Sequence, residues 1–133
     1  MKLRSTLASF IVTATLAIAA DVPKISPAEA AKLVAAGRAV LVDVREPNEW
    51  AETGVAAPAA LLAKSDFDGA QQDWKPFLEK NAGKEIILYC RSGRRAGLIG
   101  AALADQGVQV ANAGGFQDWA DAGLPVRKVE EKR

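Results

Sequence analysis

Two uninterrupted apolar runs of strand length stand out along the chain: Ala39-Val40-Leu41-Val42, closed by Asp43, and Ile86-Ile87-Leu88-Tyr89, opened by Glu85. Runs without polar alternation belong to strands covered on both faces, as in a parallel sheet. Around them the pattern turns helical. Ser26-Pro27-Ala28-Glu29 supplies a capping serine, a proline suited to the first helical position and a glutamate able to reach back. It predicts a helix carrying Ala31, Leu33 and Val34 that stops at Gly37. Ala96 to Gln106 reads as a second helix, stopped by Gly107. Val108 to Val110 reads as another strand, followed by Ala113-Gly114-Gly115 as a turn and by a short helix carrying Phe116 and Trp119. The stretches between are less regular. Val44 to Trp50 predicts a loop leading into one helical turn, Ala59 to Leu62 a short strand, and Asp66 to Lys80 one or two helices interrupted near Pro76. The β-α-β-α order predicts an α/β domain whose central sheet is mostly parallel, of about five strands, with helices on both faces. Ligands of such sheets sit outside the carboxyl ends of the strands.

The N-terminus follows a different pattern. Lys2 and Arg4 precede an uncharged run from Ser5 to Ala20, whose apolar residues include Leu7, Phe10, Ile11, Val12, Leu16 and Ile18, and which closes on Ala17-Ile18-Ala19. A basic start, a short apolar stretch and small residues at its end make a secretory signal over residues 1–20, with export to the periplasm as the expected consequence. Ser9, Thr13 and Thr15 dilute a run already short for a bilayer span. Residues 21–133 are then expected to form one domain, with no membrane anchor after cleavage.

Composition narrows the chemistry. The 133 residues are half apolar and one quarter charged, which suits a soluble domain with a single core. Of the 17 basic residues two lie in the signal, leaving 15 against 16 acidic and shifting the net charge from +1 to −1. Such a body has no general attraction for nucleic acid or anionic lipid, so functional positive charge must be local. Histidine is absent and cysteine occurs once. That excludes Ser-His-Asp and Cys-His catalysis, a His-containing zinc site and any internal disulfide.

The single thiol stands where chemistry is concentrated. Cys90 follows the strand ending in Tyr89 and precedes Arg91-Ser92-Gly93-Arg94-Arg95, which feeds the Ala96 helix. A tight strand-to-helix turn leaves backbone N–H groups unpaired, and the helix adds its positive end. With three arginines within five residues, these dipoles favour thiolate and stabilise an anion attached to it. A small buried core cysteine is the plainer alternative. Burying three guanidinium groups beside such a residue would be costly, which favours a reactive thiol. Arg95, at the loop-to-helix junction, is expected to point inward, while Arg91 and Arg94 are open to a role at the site or to a solvated face. Asp43 and Arg45 end the neighbouring strand; they are expected to face the same crevice or to pair with loop backbone and hold the active loop in place.

Three motifs carry a resemblance. They are Leu41-Val42-Asp43-Val44-Arg45-Glu46-Pro47-Asn48-Glu49-Trp50 followed by Gly54, then Tyr89-Cys90-Arg91-Ser92-Gly93-Arg94-Arg95-Ala96, then Gly114-Gly115-Phe116-Gln117-Asp118-Trp119 with Ala122-Gly123-Leu124-Pro125-Val126. In this order and spacing, from Ile25 to Val126, the chain resembles the rhodanese (thiosulfate sulfurtransferase) homology domain of the small single-domain periplasmic type. The resemblance implies that Cys90 takes the outer sulfur of a donor such as thiosulfate, becomes a persulfide, and passes the sulfur to a thiophilic acceptor such as cyanide or a thiol. It implies that Arg91, Ser92, Gly93, Arg94 and Arg95 bind the substrate, with Asp43 and Arg45 supporting, and that Trp119, Gly114, Gly115 and Phe116 build core and turns. Trp50 is a candidate for the pocket wall.

Loop length separates sulfur from phosphate chemistry in this resemblance. The sulfurtransferase loop has six residues counted from the cysteine, Cys90 to Arg95, whereas related cysteine phosphatases need an arginine where this chain has Ala96. The alternatives are a persulfide carrier or binding module and, less favoured, a cysteine phosphatase or arsenate reductase. Gly54-Val55-Ala56-Ala57-Pro58-Ala59 departs from the Gly-His-Ile of many relatives, and residues 65–81 carry no distinctive motif and are expected to shape acceptor access. No cofactor and no metal are expected. The expected partners are a small anionic sulfur donor and a thiophilic acceptor, an acceptor protein being one option, with no nucleic acid and with the chain acting as a monomer.

Overall fold

The computed structural model describes residues 21–130, so the export signal expected over residues 1–20 lies outside the described residues. In chain order the elements are α1 (Pro27–Ala35), β1 (Ala39–Asp43), α2 (Pro47–Thr53), β2 (Val55–Ala56), β3 (Ala60–Leu61), α3 (Lys64–Asp68), α4 (Trp74–Lys80), β4 (Glu85–Cys90), α5 (Arg94–Asp105), β5 (Val110–Gly115), α6 (Phe116–Asp121) and β6 (Val126–Arg127). The two apolar runs become β1 and β4, paired in parallel from Ala39 opposite Glu85 to Asp43 opposite Tyr89. They form the centre of a four-stranded sheet, ordered β3-β1-β4-β5, whose pairings are all parallel. A fifth position beyond β5 is held by a single parallel bridge between Lys24 and Asn112. β2 and β6 form a separate antiparallel pair. The expected sheet of about five strands is therefore four full strands, one bridge and a small ribbon.

Strand alternation sorts the core into two layers. Ile86, Leu88 and Cys90 of β4 pack with Val42, Trp74, Ala96, Ile99 and Leu103 on the face covered by α3, α4 and α5. Ile87 and Tyr89 pack with Leu41, Ala30, Ala113 and Trp119 on the face covered by α1 and α6. Ser26 caps α1 through Glu29 N–H at 3.2 Å, with Pro27 at the first helical position as expected.

Two local expectations are corrected. The chain break within residues 66–80 falls at 69–73, and Pro76 lies inside the first turn of α4. Its missing N–H removes no bond within α4, because the carbonyl four residues back belongs to Gln72, ahead of the helix. The break is organised by Asp66, whose carboxylate accepts the N–H groups of Gln72, Asp73 and Trp74 at 2.8–3.1 Å. Trp74 is thereby set edge-on between Phe67 and Phe77 with no exposed surface, so Phe67, Trp74, Phe77 and Leu78 of this stretch pack on the core. The second correction concerns β5, which spans Val110–Gly115 and includes the Ala113-Gly114-Gly115 read as a turn.

Candidate active site at the strand carboxyl ends

Cys90 is the last residue of β4, and its side chain faces the α5 layer with 1% of its surface exposed. The chain must reverse within three residues to enter α5. Gly93 makes this turn at φ +94°, a left-handed conformation that suits a residue without Cβ. The turn aims its N–H back at the sulfur, 3.0 Å from Cys90 Sγ. Gly97 N–H to Gly93 O, at 2.9 Å, is the first bond of the helix. The amides of Arg95 and Ala96, in the first turn, therefore have no carbonyl within the helix to bond. Sulfur thus sits against the Gly93 amide, at the positive end of a twelve-residue helix.

The loop is braced from β5. The pairing of β4 with β5 shifts between Leu88 and Cys90, so that Cys90 lies opposite Gly115. Asn112 then spans the gap: its Nδ2 donates to Gly93 O at 2.8 Å and its Oδ1 accepts Gly114 N–H at 2.9 Å. Gly115 lets the loop come close, since a Cβ at that position would lie 2.2 Å from Arg91 O.

A second brace comes from α2. Arg95 donates from both terminal nitrogens to Glu49, at 2.6 Å to Oε1 and 2.8 Å to Oε2, joining residues 46 apart in sequence. Oε1 also accepts Glu46 N–H at 3.3 Å. The Arg95 hydrogen bond holds the Glu49 carboxyl below the usual carboxylate range, against the opposing effect of burial. Arg95 is raised in turn, first by that hydrogen bond and also by the neighbouring Cys90.

Asp43 and Arg45 form a buried pair, with Arg45 donating from Nη2 to Asp43 Oδ2 at 2.8 Å and from Nε to both carboxylate oxygens at 3.1 Å. Burial lowers the pKa of Arg45, but the hydrogen bond and charge of Asp43 outweigh it and leave it raised. The remaining Arg45 donors reach Thr53 Oγ1 and Gly54 O, both at 2.9 Å, and its guanidinium lies 4.8 Å from the centre of the Phe116 ring. Trp50 Nε1 donates to Asp43 Oδ1 at 3.1 Å. Next to this pair, burial first and the Asp43 charge second push the Tyr89 phenol above its ordinary range, and its oxygen accepts Ala56 N–H at 2.9 Å.

The structure places Gly93 on Cys90, and Arg95 half-buried at the loop-to-helix junction with its guanidinium on Glu49. Arg91, Ser92 and Arg94 are exposed around them. Asp43 and Arg45 depart from one expectation, since what they hold is the Thr53-Gly54 corner and not the cysteine loop. Arg45 does share a crevice of about 260 Å³ with Glu49, Glu52, Thr53, Arg91, Phe116 and Gln117. Trp50 acts as a hydrogen-bond donor to Asp43. Glu49 and Asn112 were not singled out from the sequence, although Glu49 lies within the first motif. Among the described residues no three His, Cys, Asp or Glu side chains converge as metal ligands.

A family model described as a rhodanese-like domain matches residues 26–122. The thiosulfate:glutathione sulfurtransferase of Saccharomyces cerevisiae is 33% identical over 93 residues, covering 63% of this chain and 66% of that protein. The chain spans about half to two thirds of the length of the curated relatives it matches. Among solved structures, the polysulfide-sulfur transferase of Wolinella succinogenes, a homodimer, superposes with a TM-score of 0.65 at 27% identity, covering 84% of this chain and 82% of that one. A Rhodopseudomonas palustris protein described as a possible tyrosine phosphatase gives a TM-score of 0.66 at 25% identity, covering 80% and 85%.

Proposed function

The chain belongs to the rhodanese-like domain family, and we propose that it is a sulfurtransferase that carries sulfane sulfur on Cys90. The observation that carries this reading is the 3.0 Å contact of Gly93 N–H with Cys90 Sγ at the positive end of α5. In the first half-reaction the Cys90 thiolate attacks the outer sulfur of thiosulfate. The S–S bond of the donor breaks, sulfite leaves with the bonding pair, and Cys90 becomes a persulfide. In the second, cyanide or a thiolate attacks the terminal sulfur, and Cys90 thiolate departs as the leaving group. Neither step requires a proton relay once the thiol is ionised, in keeping with a chain without histidine.

The amides of Arg95 and Ala96 and the dipole of α5 stabilise the anionic terminal sulfur, and the exposed Arg91 and Arg94 draw an anionic donor to the loop. The sulfurtransferase names of the yeast and Wolinella relatives support the same reading. Phosphoryl chemistry is less well served, because the position a phosphatase loop fills with arginine is Ala96 and the adjacent Arg95 is engaged by Glu49.

Mass spectrometry after incubation with thiosulfate tests the proposal. The expected result is a gain of about 32 Da, one sulfur atom, on Cys90. Cyanide removes the gain with formation of thiocyanate, and Cys90→Ser shows neither. An unchanged mass together with no thiocyanate overturns the reading.

A further inference from the structure

The side chain of Asn112 does more than bridge two strands. Asn112 stands on β5 opposite Leu88, where the register to β4 slips before Cys90 meets Gly115. Its backbone is held from the outer edge of the sheet, its N–H donating to Pro23 O at 2.8 Å and its carbonyl accepting Ile25 N–H at 3.0 Å. The side-chain amide therefore starts from a fixed point, and both of its arms end at the sulfur loop. Nδ2 donates at 2.8 Å to the carbonyl of Gly93, the residue whose N–H lies 3.0 Å from Cys90 Sγ. Oδ1 accepts Gly114 N–H at 2.9 Å, and the next residue, Gly115, abuts Arg91 O. One partner is a carbonyl and the other an N–H, so both are satisfied only by a group that carries a donor and an acceptor side by side. Gly93, at φ +94° and without a side chain, has little of its own to hold that orientation.

We propose that Asn112 is a positioning residue for sulfur transfer, holding the Gly93 turn so that its N–H stays on the Cys90 sulfur. It acts through Gly93 and not on the sulfur itself. The Gly93 N–H favours the Cys90 thiolate, which is the attacking group when the outer sulfur of thiosulfate is taken and the leaving group when cyanide or a thiolate removes it. Loss of the brace therefore slows both half-reactions. The inference rests on the sulfur-transfer reading of this loop, while the placement of Gly93 is measurable without any donor.

The test combines single-turnover sulfur uptake from thiosulfate, followed by mass, with amide hydrogen exchange read by NMR. Asn112→Leu keeps the approximate volume and removes both arms. Its saturating uptake rate is expected to fall about 100-fold, the effect of a misplacement of about 1 Å at a reacting centre. The thiosulfate concentration giving half that rate changes little, because the exposed Arg91 and Arg94 that draw the anion are unaltered. Exchange of the Gly93 N–H quickens by about tenfold or more, while Ile87 and Leu88 within β4 keep their protection. A merely structural tie would instead speed all three amides in step with lost stability. That pattern, or an uptake rate equal to that of wild type, overturns the proposal. Should Asn112→Leu fail to fold, Asn112→Ser keeps a polar group whose reach spans one arm at most. The same slower uptake and the same selective exchange at Gly93 are expected of it, and wild-type behaviour there counts against the proposal. If the wild-type protein takes up no sulfur, the sulfurtransferase reading fails, whereas selective exchange at Gly93 still upholds the brace and unselective exchange still overturns it.

Discussion

Gly115→Ala isolates the close approach that positions the sulfur loop. Gly115 has φ −110°, so alanine fits the backbone without strain and the perturbation is steric alone. The added Cβ would lie 2.2 Å from Arg91 O and 3.0 Å from Arg91 C, with Asp118 Oδ2 at 3.3 Å. An ordinary C···O separation requires Arg91 to retreat by about 1 Å. Arg91 follows Cys90 directly, and its loop is pinned at Gly93 by Asn112 and at Arg95 by Glu49. The displacement therefore falls on the segment between Cys90 and Gly93, where the 3.0 Å contact to sulfur is made. A misplacement of about 1 Å at a reacting centre costs roughly 100-fold in rate, and overpacking costs about 1–3 kcal/mol of stability. The assay is the single-turnover rate of sulfur uptake by Cys90 from thiosulfate, with stability measured by urea denaturation. Gly83→Ala is the control. Gly83 sits at φ +84° before β4 with nothing within 4 Å of its would-be Cβ, so alanine there costs about 1–2 kcal/mol of backbone strain and no rate. Equal uptake rates in the two variants at matched stability would refute the claim that the Arg91 carbonyl sets the loop.

The buried Asp43–Arg45 pair yields a stability prediction. Asp43→Asn leaves the Arg45 guanidinium buried against a neutral amide and deprives it of one carboxylate oxygen, so urea denaturation should show a loss of about 3–5 kcal/mol, and a loss below about 1 kcal/mol would refute the pairing. Glu49 gives a pH dependence. Its folded-state pKa lies below its ordinary value of 4.5, so its contribution is present above about that pH and disappears as pH falls through the depressed value. Wild type should exceed Glu49→Gln in stability by about 1–2 kcal/mol at neutral pH, with the gap closing as the pH falls below about 4.5; a gap independent of pH would refute the ionic origin.

The parts of the fold legible in sequence are those decided by local physics. Continuous apolar runs can be satisfied only by cover on both faces, which identified β1 and β4 without knowledge of their partners. Ser26 and Pro27 marked the start of α1 because capping involves neighbours three residues away. β5 was shortened because Ala113-Gly114-Gly115 carries the composition of a turn. Its glycines answer to something distant in sequence: Gly115 must admit the carbonyl of Arg91, and Gly114 turns at φ +82° so that its N–H meets Asn112. Pro76 misled for a related reason. A proline breaks a helix only where its amide would have been bonded, and the placement of the first turn was decided by Asp66, which gathers the amides of residues 72–74.

The site follows the same division. Cys90, Gly93 and Arg95 were readable because the loop, its turn and its helix start are consecutive, and the charge that matters is local. Glu49 was not, although it stood inside a motif already noticed, because a glutamate in the first turn of a helix is adequately explained by the helix dipole. Only the fold brings α2 beside the start of α5 and gives that carboxylate an arginine to hold. This bears on how a histidine-free thiol site is built. With no histidine in the chain, the sulfur's surroundings must do the electrostatic work. The Glu49–Arg95 pair holds the start of α5 in place, so that the helix dipole and the Gly93 N–H act on the sulfur from fixed positions.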